Sequence, residues 1–253
     1  YDNEYVWVGA RFFMQDASKI VIYGKKRDDI SLFFDSFNIT FDTYNDNENA
    51  LVFYTNPAGL RADYAISNDG VMGTNWRNPN WNTYWDVETF IDDQGWYLEM
   101  RIPFSSLKFK PDENNLTTMG LIMRRFISYN HEMDTYPALD PKYGTSKPSM
   151  AATIQFEGIQ PSNPVYISPY VIGGHTRNWA LNNENTAYVR DDTPNFNAGL
   201  DIKYNVSGNL TLDLTANTDF AQVEADDQQV NLTRYSLYFP EKRVFFQERA
   251  GLF

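Results

Sequence analysis

Trp76, Arg77, Asn78 and Trp81 fall close together in the chain. Flat aromatic rings cover the apolar C–H faces of sugars, while guanidinium and amide groups bond the hydroxyls. Such a set points to carbohydrate binding. The plainer alternative is that the tryptophans plug a core or anchor their loop. Trp85, inside a strand-like run, fits the sugar role less well. A second set is Tyr97, Glu99 and Arg101, which share one side of an alternating run. Glu99 and Arg101 suit sugar hydroxyls, or else form a cross-strand ion pair worth under about 1 kcal/mol.

Breaking a glycosidic bond needs two carboxyls about 5–9.5 Å apart. Asp28 and Asp29 cluster, as do Glu224, Asp226 and Asp227. With 33 acidic residues such clusters arise by chance, and no residue is assigned a catalytic role. Calcium takes oxygen ligands. Asp46 and Glu48, within Asn45-Asp46-Asn47-Glu48-Asn49, are the candidates, although the spacing is not that of an EF-hand and a solvated turn explains the run as well. Cysteine is absent and the histidines are two, His131 and His175. This removes disulfides, thiol catalysis and Cys-ligated zinc. His131-Glu132 lacks the second histidine of a zinc-protease motif. No cofactor other than calcium is expected.

The elements that must carry these residues are strands. Lys and Arg number 21 against 33 Asp and Glu, a net charge of −12. Nucleic acid is therefore not an expected partner, since phosphate binding needs clustered Lys and Arg. Aromatics make up 16% of the 253 residues, which favours strands and aromatic surfaces. Short alternating runs, bounded by Asn, Asp, Gly and Pro, predict an all-β chain. Strands are predicted at Tyr5–Met14, Ser31–Phe37, Ile39–Tyr44, Ala50–Asn56, Ala62–Ile66, Thr83–Ile91, Gly95–Ile102, Met119–Tyr129 and Ala152–Gly158. Their spacing predicts a β-sandwich of jelly-roll type over residues 1–158. Ile159-Gln160-Pro161-Ser162-Asn163-Pro164 reads as a linker.

Residues 165–253 read differently. Val165 to Gly173 alternates, and a polar stretch follows from His175 to Pro194. Phe196, Ala198, Leu200, Ile202, Tyr204 and Val206 then alternate with small or polar residues. Ser207-Gly208-Asn209 makes a turn, and Leu210, Leu212, Leu214 and Ala216 continue the alternation. Each arm is about as long as the 9–11 residues of a tilted strand that crosses a bilayer. A soluble hairpin packed on a core gives the same pattern. No run of apolar residues is long enough for a membrane helix, and the opening residues are not expected to be a signal peptide. Both ends read as cut, so the chain is expected to be an internal piece of a longer protein.

From Asn217 the sequence contains Asp219-Phe220-Ala221-Gln222-Val223-Glu224-Ala225-Asp226, then Asn231-Leu232-Thr233, then Phe239-Pro240-Glu241-Lys242-Arg243 and Leu252-Phe253. Upstream stand Arg27-Asp28-Asp29, Phe41-Asp42-Thr43-Tyr44-Asn45-Asp46, Asn56-Pro57-Ala58-Gly59, Trp85-Asp86-Val87 and the run Glu99 to Leu107. Together they resemble a family of uncharacterised outer-membrane proteins of Gram-negative bacteria. That family joins a domain like carbohydrate-binding module family nine to a C-terminal β-barrel. Thr218, Ala221, Val244 and Arg249 replace the family's usual Pro, Gly, Pro and Gly, a change in local backbone stiffness. The resemblance implies that opening strands lie upstream and most of the barrel downstream. It implies a location in the cell envelope, at the outer membrane. The implied partners are a glycan or cell-surface polysaccharide, the outer membrane and, as a further class, proteins of an envelope complex. Similar modules hold a terminal sugar between two tryptophans, although no motif assigns that role to Trp76 and Trp81. Asp219, Glu224, Asp226, Glu241, Lys242 and Arg243 would form a polar network in the barrel lumen, or an ordinary surface loop. Two other functions stay open beside glycan binding. One is a structural or translocation role with a sandwich that binds no sugar. The other is a glycoside hydrolase, because such modules are often attached to one.

Overall fold

The computed structural model describes residues 1–217 except 23, 32, 72–75, 144–145, 163–164, 183, 185 and 208–209. These residues are all-β, with short 3-10 turns in some of the connections. The strands are β1 (Tyr5–Phe13), β2 (Ser36–Asp42), β3 (Ala50–Thr55), β4 (Ala62–Ile66), β5 (Arg77–Asn78), β6 (Asp86–Asp92), β7 (Gly95–Pro103), β8 (Leu116–Ile127), β9 (Glu132–Tyr136), β10 (Ala152–Glu157), β11 (Val165–Leu181), β12 (Tyr188–Ser207) and β13 (Leu210–Ala216). They fall into two compact units, one covering Tyr1–Ser162 and one containing β11 to β13.

The first unit is a sandwich. A three-stranded antiparallel sheet, β1-β7-β6, faces a larger sheet ordered β10-β8-β2-β3-β4-β5, with β9 sharing an edge of β8. Alternation explains the core. Val6 and Phe12 of β1 and Trp96, Leu98, Met100 and Ile102 of β7 point inward from one sheet. Phe37, Ile39 and Phe41 of β2 and Phe53 of β3 meet them from the other. Phe53 stands edge-on to Trp85, 5.5 Å between ring centroids. The opposite face of the larger sheet is covered as well. Ala50, Val52, Tyr64 and Ile66 pack there under Ile30 and Trp76. A strand covered on both faces has no wet side, so every residue of β2 is buried. Its polar Asn38 is satisfied by Arg124, whose Nε (2.9 Å) and Nη2 (2.7 Å) donate to the amide oxygen in the orientation that serves both groups.

Three expectations change. Ser31–Phe37 is not a strand, and β2 begins only at Ser36. The preceding backbone finds its partners elsewhere: the Asp35 amide donates to the Val21 carbonyl (3.1 Å) and Ser128 Oγ donates to the Phe33 carbonyl (2.6 Å). Phe33 is 74% exposed, so its apolar side chain was a misleading cue. β9 went unseen because Glu132–Tyr136 has no apolar alternation. Ile159, assigned to the linker, is 1% exposed and belongs to the sandwich core.

The second unit is an antiparallel sheet, β11-β12-β13. β11 and β12 run unbroken through the polar stretch from His175 to Pro194. Charge pairing replaces apolar alternation there: Arg177 Nε donates to Asp192 Oδ1 at 3.1 Å, and Arg190 also pairs with Asp192. Asn182 closes the hairpin, its Oδ1 accepting from the Thr186 amide at 2.8 Å. The turn around Ser207-Gly208-Asn209 lies partly outside the described residues. Register sorts the two faces. Val165-Tyr204-Leu212, Ile167-Ile202-Leu214, Pro169-Leu200-Ala216, Val171-Ala198 and Gly173-Phe196 form successive apolar rows on one face. Tyr166-Lys203-Asp213 and Ser168-Asp201-Thr215 lie on the other. Gly199 is needed where Tyr170 lies directly across it: an added Cβ would stand 2.3 Å from the phenol oxygen.

Candidate binding face

The outer face of β1-β7-β6 carries three cross-strand rows, fixed by register: Trp7-Arg101-Asp86, Gly9-Glu99-Glu88 and Arg11-Tyr97-Phe90. In the first row Trp7 is 50% exposed. Its indole Nε1 donates to Asp2 Oδ2 at 2.9 Å, a bond that holds the Asp2 carboxyl below its usual range. Tyr5 lies 5.7 Å from Trp7, ring to ring, and the Arg101 guanidinium sits 5.1 Å over Tyr5. Asp86 accepts from two arginines, Arg101 Nη2 at 2.5 Å and Arg61 Nη1 at 3.2 Å. A cleft of ≈ 520 Å³ opens here, lined by Trp7, Lys25, Arg61, Glu88, Glu99 and Arg101 among others. In the middle row Glu88 and Glu99 stand side by side, and neither enters an ion pair among the described residues.

The third row is aromatic again. Arg11 stacks over Phe13 (4.4 Å) and Tyr97 (4.8 Å). Phe90 is 66% exposed and lies 6.2 Å from Tyr97. The Tyr97 hydroxyl donates to Asp92 Oδ2 at 2.7 Å. That bond raises the phenol's pKa and lowers the carboxyl's.

The set Tyr97, Glu99 and Arg101 therefore occupies one surface, as the alternation predicts. Trp76, Arg77, Asn78 and Trp81 lie elsewhere. Trp76 is half-buried against the outer side of the larger sheet. Arg77 stacks over Tyr64 at 4.2 Å, and Asn78 turns the chain by accepting from the Asn80 amide at 3.0 Å. Trp81 is half-buried on the inter-sheet core, edge-on to Phe53 at 6.1 Å. The sequence reading missed Trp7, Arg61, Asp86 and Glu88. One signal was available: Trp7 falls on the same side of the Tyr5–Phe13 alternation as Gly9 and Arg11, where a core residue does not belong.

A buried carboxylate paired with a half-buried arginine fixes the approach to β6. Asp63 is 2% exposed. It accepts from Arg27 Nη2 (2.5 Å) and from the Thr83 amide (2.6 Å), while Arg27 also reaches Asn82 Oδ1 (2.5 Å). Burial pushes the Asp63 carboxyl up to about 6, against the opposing pull of Arg27 and the Thr83 amide.

Around the calcium candidates, Asp46 Oδ1 accepts from the Glu48 (2.8 Å) and Asn49 (2.7 Å) amides, and its Oδ2 accepts from Asn49 Nδ2 at 2.8 Å. Asn45 and Asn47 adopt positive φ of 52° and 63°, as Asn tolerates in turns. Among the described residues no group of three or more His, Asp or Glu side chains is placed to hold a metal ion. Asp219, Glu224, Asp226, Glu241, Lys242 and Arg243 lie outside the described residues.

A family model described as a domain of unknown function, DUF5916, matches residues 166–253. No curated protein matches the chain. Among solved structures, the chain is similar to a family 9 carbohydrate binding module from Caldicellulosiruptor kristjanssonii in complex with cellotriose, at 17% identity and a TM-score of 0.37, over 65% of this chain and 77% of that one.

Proposed function

We propose that this chain belongs to an outer-membrane protein of a Gram-negative bacterium and that its sandwich binds a glycan without turning it over. One observation carries the binding half: a half-exposed tryptophan stands at a cleft whose walls hold carboxylates and guanidinium groups. Trp7 covers the apolar face of a sugar ring, and its hydrogen bond to Asp2 limits rotation of the indole. Arg101 and Arg61, held by Asp86, donate to ring hydroxyls, and Glu99 and Glu88 accept from them. On this reading Tyr97, Glu99 and Arg101 face the glycan together with Trp7. Trp76 and Trp81 serve packing instead.

The membrane half rests on β11 to β13. The apolar rows from Val165 to Gly173 extend roughly 26 Å along the strand at about 3.3 Å per residue. A tilt of about 40° leaves roughly 20 Å along the membrane normal, most of an apolar band about 25 Å tall. The charged residues of the strands over this span, Lys203, Asp201 and Asp213, all occupy the opposite face, which suits a lumen. Among the described residues no helix is long and apolar enough to cross a membrane, which says nothing about crossing by strands.

A glycan-array screen of the 253-residue chain tests the binding half. Selective capture of one glycan class is the expected result. A folded chain that captures none would favour the structural or translocation role instead.

A further inference from the structure

We infer that the face of β1-β7-β6 is an extended groove for a neutral, linear polysaccharide, with a second aromatic subsite at the end away from Trp7. The inference rests on the glycan reading above and adds a ligand class and a direction. The groove follows β1 and β7. Trp7 stands at one end, and Phe13, Tyr97 and Phe90 stand at the other. Phe13 and Phe90 are both largely exposed. The Arg11 guanidinium lies between Phe13 and Tyr97, which fixes their spacing. From Trp7 to Phe13 the strand advances roughly 20 Å. A disaccharide on the indole falls short of that span, whereas a chain of several sugars reaches both ends.

The floor between the aromatic ends is open and acidic. A Cβ added at Gly9 would meet nothing within 4 Å, so the missing side chain leaves a dip in line with Trp7 and Arg11. Beside it stand Glu99 and Glu88. Two adjacent carboxylates accept hydrogen bonds from hydroxyls and repel uronates or sulfates; of the cations that line the same cleft, Arg61 and Arg101 are paired with Asp86, and Lys25 sets one positive charge against the two glutamates. The ligand is thus a neutral glycan whose sugars stack at both ends and bond the carboxylates between.

Calorimetric titration with ladders of neutral oligosaccharides (cello-, xylo- and manno-, two to six sugars) tests this. In the parent chain the best ladder should tighten about tenfold from the disaccharide to the hexasaccharide. F13A/F90A should abolish that gain and leave disaccharide binding unchanged. Gly9→Ile fills the dip with a strong strand former. It should weaken the hexasaccharide about fivefold without lowering the melting temperature. Affinity independent of length, or an F13A/F90A chain that retains the length gain, overturns the groove while the Trp7 site stands. Hexagalacturonate binding as tightly as the best neutral hexasaccharide overturns the neutral preference. If no ladder binds, or if Trp7→Ala leaves every affinity unchanged, the glycan reading fails and the groove with it.

Discussion

Asp63 offers a perturbation whose size follows from its surroundings. Its carboxyl is buried, bonded to Arg27 and the Thr83 amide, and pushed up to about 6. In the unfolded chain an aspartate titrates near 3.9. The folded state therefore holds the proton more tightly than the unfolded state between about pH 4 and pH 6. Stability from this group is fully present below about pH 4. It is lost as pH rises to about 6 and stays lost above. A difference of about two pKa units corresponds to roughly 3 kcal/mol. Asp63→Asn carries no titrating group, so it lacks this slope whatever its absolute stability. Urea unfolding of both chains from pH 4 to pH 8 measures the effect. The stability of the parent relative to the variant should fall by roughly 2 kcal/mol of that total between pH 4 and pH 6 and remain flat above pH 7. A difference constant across that range would refute the reasoning, because it would mean that Arg27 and the Thr83 amide fully offset the burial.

Phe53→Ala removes a fully buried ring that supports both Trp81 and Trp85. It should cost about 3–5 kcal/mol, seen as a lower urea midpoint at unchanged slope. Asp69 ties Lys147 and Ser149 to the turn at residues 68–70, accepting from the Ser149 amide at 2.9 Å and its hydroxyl at 2.8 Å. Asp69→Ala should cost about 1–2 kcal/mol and speed proteolytic cleavage near residues 147–149. On the proposed membrane reading, Leu200→Arg on the apolar face should destabilise the protein in lipid by about 2–4 kcal/mol, whereas Asn197→Arg on the polar face should be tolerated. Equal effects at the two positions would contradict the assignment of faces.

Legibility in the sequence followed the physics of alternation. β7 was readable because one face is dry and one is wet, so Trp96, Leu98, Met100 and Ile102 separate cleanly from Tyr97, Glu99 and Arg101. The apolar arm of β12 was readable for the same reason. Between His175 and Pro194 the strands persist on charge pairs such as Arg177 with Asp192, which leave no apolar period. β2 misled because both of its faces are covered, and the exposed Phe33 seemed to extend it. The candidate site was half legible. Glu99 and Arg101 were found through their strand. Trp7 comes from a strand distant in sequence and Asp86 from the preceding arm of the same hairpin, and both meet Arg101 only through pairing register. Trp76 and Trp81 drew notice as loop tryptophans, yet a loop that folds over a sheet needs large apolar anchors as much as a sugar site does.

The central claim is that Trp7 and its neighbours, and not the loop tryptophans, hold the ligand. The most direct test is to titrate the glycan selected by the array into the parent chain, Trp7→Ala and Trp76→Ala, with folding checked by circular dichroism. The account predicts at least a tenfold loss of affinity for Trp7→Ala, and unchanged affinity with lowered thermal stability for Trp76→Ala. Retained binding in Trp7→Ala, with loss in a folded Trp76→Ala, would contradict it and move the site to the outer side of the larger sheet.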